Sequence, residues 1–288
     1  MPEVAEVLKA SKWMQLHMGG PHIELQNLMF SEKGKYREEK GPPKNYGPFA
    51  AHLPIANLQF EARGKKILVS SDEGLYMILG LGLSGRFSYT PTKHMCYTFV
   101  FTDSREGDNV KYVYFNDSRH FANIHLFIGE KEYAEGSKKY APSADPLGND
   151  ISIEEWTRLI RNPRRKKTKI ITFFLDQRSI GGIGNYLSAE ILFAYRIRPD
   201  RPLGEITDEE IEKFKYHTDR LVKLSYESTG RLVYNKASTG KGKGFRCYVY
   251  LCTAYRVRAK DGTIKNYSVE GTKYFGNRTT YWVPALQQ

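Results

Sequence analysis

The sequence predicts a multidomain α+β fold: an N-terminal helix leading into an antiparallel β-sandwich, a helical second half, and a tail that returns to β structure. Three observations carry this. Short branched or aromatic runs follow one another from about residue 22 to 129 with no helical period between them. Beyond a charged stretch holding Pro142, Pro146 and Gly148, apolar residues take up the spacing of helices. From Phe245 onward aromatic runs reappear ahead of an Asp261-Gly262 turn, a hairpin signal.

Residues 3–18 read as the first helix. Pro2 suits a first helical position, Glu3 and Glu6 sit in the turn that favours acidic groups, and Gly19-Gly20-Pro21 stops the helix. Its apolar stripe is Val4, Val7, Leu8 and Trp13. Strands are expected at 67–69, 75–87, 97–101, 111–115 and 122–128, making 1–130 the sandwich. The stretch 131–150 reads as a linker and 151–244 as the helical domain. Ser152-Ile153-Glu154-Glu155 and Thr207-Asp208-Glu209-Glu210 both fit a capping box. A helix within 181–196 is entered through a glycine turn and ends before Pro199. Residues 245–288 form the β tail.

The net charge of +12 is unevenly placed. Residues 1–150 carry 18 Lys and Arg against 18 Asp and Glu, whereas residues 151–288 carry 26 against 14. A one-sided basic half suits a polyanion, because each neutralised phosphate releases condensed counterions; a solvated basic surface is the plainer alternative. No apolar run approaches the roughly 20 residues of a membrane span, and the acidic start does not resemble a secretory signal. Three cysteines argue against a disulfide framework and for a reducing, intracellular setting, nucleus or cytoplasm according to the host.

Pro2 would become a free secondary amine on removal of Met1. An α-amine ordinarily titrates near pH ~8, against about 10.4 for lysine, so it keeps a useful neutral fraction near neutrality. Such an amine can attack the C1′ carbon of a nucleic-acid sugar, and Glu3 beside it has the reach of a general acid. Alone, Pro-Glu is also simply a good helix start. Lys65, in Arg63-Gly64-Lys65 before a strand, has a rigid perch for a phosphate, though an isolated Arg-Gly-Lys is also an ordinary hairpin tip. In Gly181-Gly182-Ile183-Gly184-Asn185 the glycines permit close approach to a phosphate, the following helix offers free N–H groups and Asn185 adds a donor. No parallel-sheet context surrounds it, so it is not a dinucleotide fingerprint. Arg278, in the last turn signal Gly276-Asn277-Arg278, can fork onto a phosphate. Zinc is not expected in the tail, since after His217 only Cys247 and Cys252 could contribute.

With these residues in this order, the chain resembles DNA glycosylase/AP lyases of the formamidopyrimidine-DNA glycosylase/endonuclease VIII family over nearly its full length. The likeness is strongest at 176–199, similar to the helix–two-turn–helix signature, and at Pro2-Glu3-x-x-Glu6. It departs in having Val4-Ala5 where the family usually has Gly-Pro. It departs again in Val283 and Leu286, which stand where zinc-binding members carry cysteines; the tail resembles a zincless β-hairpin finger, closer to giant-virus than to vertebrate endonuclease VIII-like enzymes.

The resemblance implies Pro2 as Schiff-base nucleophile, Glu3 as its acid/base partner, Glu6 as a supporting carboxylate, and Lys65, Asn185 and Arg278 as phosphate contacts. Leu83, in the segment 80–85, and Phe121, in 116–121, would fill the emptied base stack, with Arg119 facing the orphaned base. Lys241 and Lys243 fall where relatives place a lesion-covering loop. The implied activity is excision of oxidised bases, pyrimidines and hydantoins, followed by β,δ-elimination. The implied partner is damaged double-stranded or single-stranded DNA, met by a monomer without cofactor, metal or membrane. A non-catalytic nucleic-acid-binding protein is the competing class, since helix–two-turn–helix modules occur there too; it has no use for Pro2, Glu3 and Lys65 together. A phosphate-cradling nucleotide enzyme lacks its sequence context.

Overall fold

A computed structural model describes residues 2–31, 41–107, 109–148, 150–227 and 270–288. Helix α1 (Val4–Met18) buries Val7, Met14 and Met18 along one face, and the Ser11 hydroxyl donates to the Phe60 carbonyl at 3.1 Å. The strands β1 (Gly20–Phe30), β2 (Ile55–Arg63), β3 (Lys66–Ser70), β4 (Leu75–Gly80), β5 (Arg86–Ser88), β6 (Met95–Asp103), β7 (Lys111–Asn116) and β8 (Asn123–Ile128) pair in the order β5-β7-β6-β1-β2-β3-β4-β8. Every pairing is antiparallel. A short helix α2 (Tyr46–Ala50) lies between β1 and β2. Alternating positions such as Leu25, Leu58, Ile67, Val69, Phe99, Phe101 and Phe115 point into one core, as the two-residue period of a strand requires.

Two of these strands, β1 and β2, lie outside the runs expected from the sequence. The expected run 75–87 is divided into β4 and β5 by a loop at 81–85. The stretch expected as a linker also carries structure. Helix α3 (Glu130–Ser137) stacks Tyr133 on Tyr76 with ring centroids 4.3 Å apart. The chain divides into two compact units, one of residues 1–2 and 7–141, the other of residues 3–6 and 142–288.

Lys66 lies under this covering segment. Its Nζ donates to Asn123 Oδ1 at 2.9 Å and sits 4.9 Å from the centre of the Tyr140 ring. Burial, with Lys139 nearby, lowers its pKa to about 8. The folded chain therefore binds the Lys66 proton less tightly than the unfolded chain does. The resulting cost is fully present below pH 8 and fades as pH rises toward the unfolded value of about 10.4. Lys66→Met is expected to stabilise the protein at pH 7 by about 1–2 kcal/mol, the roughly 3 kcal/mol of lost proton penalty being offset by an orphaned Asn123. Thermal melts should show the gain shrinking between pH 8 and 10; a constant difference would contradict the account.

The second unit contains α4 (Ile153–Ile160), α5 (Ile170–Leu175), α6 (Asn185–Tyr195) and α7 (Asp208–Glu227), with a hairpin of β9 (Glu270–Phe275) and β10 (Arg278–Trp282). Trp156, Phe173, Phe174 and Phe214 form its aromatic centre, and Tyr274 and Phe275 of the hairpin pack on the same core. Of the two predicted capping boxes, the one at Thr207 forms in full and the one at Ser152 only through its hydroxyl. Ser152 accepts the Glu155 N–H at 3.3 Å, while Thr207 and Glu210 satisfy each other's N–H at 3.2 and 2.8 Å. Among the described residues no helix is long and apolar enough to cross a membrane.

Candidate functional site

The turn into α6 is built by glycine and held by Gln177. Gly182 has φ +83°, and a Cβ there would lie 2.3 Å from that of Val4. The Val4 N–H donates to the Gly182 carbonyl at 3.0 Å. Gln177 bridges the loop, its Nε2 donating to Ile183 O at 2.7 Å and its Oε1 accepting from the Gly182 N–H at 3.0 Å.

The loop presents the start of α6 to Glu3, which is fully buried. Its Oε2 accepts the N–H groups of Gly184 at 2.7 Å and Leu187 at 3.3 Å, and its Oε1 accepts that of Tyr186 at 3.1 Å. Thus three backbone donors that the sequence offered to a phosphate are turned onto Glu3 instead. The physical reason is that a buried carboxylate needs donors, and a helix start has them to give.

Glu6 forms a second layer. Its Oε2 accepts the Glu3 N–H at 2.9 Å, and the Tyr186 hydroxyl lies 3.1 and 3.3 Å from its two oxygens. Ser225 Oγ is 2.8 Å from the same hydroxyl. Burial raises the Glu6 pKa above the usual carboxylate value, against the opposing pull of the Glu3 N–H and the Tyr186 hydroxyl. Asn185 stands beside these groups, its Oδ1 buried without a hydrogen-bond partner among the described residues.

A second constellation lies at the loops 81–85 and 117–122 of the sandwich unit. Gly80 pairs with Asn123 on one side and Arg86 with Asn116 on the other, so both loops span the same two strand pairs. Arg119 is exposed, Phe121 is 57% exposed, and Leu83 is half-buried. Lys65 occupies the two-residue turn between Arg63 and Lys66, which face each other across the β2–β3 hairpin.

Arg278 opens β10 directly after the Gly276-Asn277 turn, exposed, with its guanidinium 5.7 Å from the Phe275 ring centre. Val283 is fully buried beyond that hairpin. Pro2 is buried and immediately precedes the carboxylate cluster. Lys241, Lys243, Cys247, Cys252 and the Asp261-Gly262 turn lie outside the described residues.

The structure thus gathers Glu3, Glu6 and Asn185 at one helix start, and Leu83, Arg119 and Phe121 on one pair of loops. Sequence reasoning passed over Gln177, Tyr186, Ser84 and Asp117, all of which lay inside or beside the quoted motifs. No group of three or more His, Cys, Asp or Glu residues that could hold a metal occurs among the described residues.

The chain is similar to known proteins both in sequence and in fold. Residues 1–124 match the model of the formamidopyrimidine-DNA glycosylase N-terminal domain, and residues 143–234 that of the formamidopyrimidine-DNA glycosylase H2TH domain. The formamidopyrimidine-DNA glycosylase of Mycoplasma genitalium is 30% identical over 178 residues, covering 59% of this chain and 58% of that protein. That of Ligilactobacillus salivarius is 28% identical, with 62% of its length covered, so the chain spans less than two thirds of either relative. The Legionella pneumophila (strain Lens) enzyme of the same name is 29% identical over 252 residues, 85% of each chain.

Among solved structures, the MutM (Fpg) protein of Thermus thermophilus superposes with a TM-score of 0.74 at 23% identity, covering 99% of this chain and 98% of that one. Lactococcus lactis formamidopyrimidine-DNA glycosylase, bound non-covalently to DNA containing an AP site, gives 0.75 at 16% identity and 99% coverage of both. At these identities the structural likeness establishes the fold. With both domain models matched in order along the sequence, the chain belongs to the formamidopyrimidine-DNA glycosylase family.

Proposed function

We propose that this protein is a bifunctional DNA glycosylase/AP lyase of base excision repair, acting on oxidised bases through the amine of Pro2. The observation that carries the reading is Glu3. A carboxylate with no solvent exposure, held by three backbone N–H groups, adjoins the residue whose nitrogen becomes a free amine when Met1 is removed. A pure binding module gains nothing from such a group at that place.

In this reading the Pro2 lone pair forms a bond to C1′ while the glycosidic bond breaks, its electron pair leaving with the base, which takes up a proton from water. The amine then gives up its proton, the C1′–O4′ bond opens with that proton delivered to O4′, and an iminium remains. Glu3 carries the proton between these atoms. Removal of a C2′ proton expels the 3′ phosphate, and a second elimination expels the 5′ phosphate. Hydrolysis of the iminium, in which water adds to its carbon and the amine leaves, frees the enzyme.

Lys65, Asn185 and Arg278 hold phosphates; Leu83, Arg119 and Phe121 occupy the space left by the everted nucleotide. Lys241 and Lys243 add backbone charge. Oxidised pyrimidines and hydantoins, the zincless-finger branch with its giant-virus likeness, and a monomer on duplex or single-stranded DNA belong to the same proposal. Val283 and Leu286, apolar where cysteines would ligate zinc, support the branch.

Sodium borohydride trapping on an abasic oligonucleotide tests the mechanism. A covalent adduct that forms with Pro2 free, and disappears when Met1 is retained, is the expected result. DNA binding without any adduct would move the chain to the non-catalytic reading.

A further inference from the structure

Asp117 is fully buried, and no ion pair partners it among the described residues. An uncompensated buried carboxylate is costly unless hydrogen bonds satisfy it. Among the described residues, every bond it accepts comes from one of the two sandwich loops. Oδ1 accepts the Ser84 hydroxyl, from the loop that carries Leu83, and the Arg119 N–H at 3.1 Å. Oδ2 accepts the Ala122 N–H at 2.6 Å.

The amides it holds therefore flank Phe121 on both sides. Ser84 Oγ also accepts the Arg119 N–H at 3.1 Å, closing a three-way junction. The backbones meet closely beside it: Gly82 has φ +59°, and a Cβ there would come within 2.5 Å of the Phe121 carbonyl carbon. The Asp117 N–H donates to His94 O at 2.9 Å, tying the junction to the strand framework.

We propose that Asp117 is a positioning residue that joins the Leu83 loop and the Arg119–Phe121 loop into one rigid wedge, with Ser84 as the link between them. The inference rests on the glycosylase reading and adds a requirement to it: neither loop fills the duplex alone. Apolar wedges must displace stacked bases, and a side chain ordered beforehand spares the entropy of ordering it on the DNA. A buried carboxylate shared by both loops supplies that order in the free protein.

The test compares Ser84→Ala, which removes only the link, with Asp117→Asn, which keeps one acceptor oxygen and is followed by a thermal melt. One substrate is a duplex carrying a single 5-hydroxyuracil; the other is an abasic single strand read by borohydride trapping, a step that needs no eversion. Ser84→Ala is expected to lower kcat on the duplex roughly tenfold, the worth of one hydrogen bond to a charged group, with KM little changed. Trapping on the single strand should stay within about twofold. In a Phe121→Ala background the same change should cost nothing further, because the wedge is already lost.

An equal fall on both substrates, no fall on the duplex, or full additivity with Phe121→Ala would overturn the proposal. Should the wild-type chain trap nothing, the glycosylase reading itself fails, which is a different result.

Discussion

Glu3→Gln is expected to reduce base excision about a thousandfold, in the range of a lost general acid–base group. The shape of the side chain is kept, so the result isolates its proton chemistry. The geometry also fixes a stability cost. Two N–H groups converge on one Glu3 oxygen and a third on the other. Glutamine can accept on one side only, and its NH2 then faces an amide that also donates. One orphaned buried donor costs about 1–3 kcal/mol.

Glu3→Ala orphans all three amides and should be several times more damaging to the melt than Glu3→Gln. Single-turnover excision and thermal unfolding, measured on both variants, separate the two effects. Excision by Glu3→Gln within tenfold of wild type would reduce Glu3 to a cap for α6.

Gly182→Ala should be strongly damaging although it adds only one methyl group. Its φ of +83° lies where a Cβ is strained, at a cost of about 1 kcal/mol. The new atom would also lie 2.3 Å from Val4 Cβ and 3.0 Å from Val4 Cα. Relief requires moving either α6's approach loop or the backbone of residues 3–6, and overpacking of this kind costs about 1–3 kcal/mol. Either movement draws Glu3 away from the α6 amides, so the melting temperature and excision should fall together. Loss of stability with excision preserved would mean that the loop relaxes away from Val4 without disturbing Glu3.

The parts of this molecule that were legible in its sequence are local ones. The Thr207–Glu210 box and the Ser152 cap depend on residues three apart, and both form at the expected places. The sandwich was legible because Ile67, Val69, Phe99 and Phe101 follow a period of two.

What distance along the chain conceals was not legible. The start of α6 looked like an open anion site because its occupant, Glu3, is 181 positions from Gly184. Asp117 carried no signal because nothing in its neighbourhood announces Ser84, 33 residues away. The β1 strand escaped because residues 20–30 mix Pro21, His22, Glu24 and Asn27 with their apolar positions, and its two partners, β2 and β6, supply the pairing that such a segment lacks by itself.

The hydrogen bonds between Glu3 and α6 also decide how this protein could be taken apart. A cut after Ala141 looks like a cut between modules, yet it leaves the helical piece without Glu3 and Val4. That piece would hold three inward-facing amides with no acceptor and an empty place in its core. On a ribosome the strands of the sandwich emerge in full before residue 184 does, so the first few residues must wait for a partner not yet synthesised. The buried carboxylate near the N-terminus is therefore satisfied by some of the later residues to be made, and a protein split into its halves should regain those hydrogen bonds only when the first residues are returned to the second half.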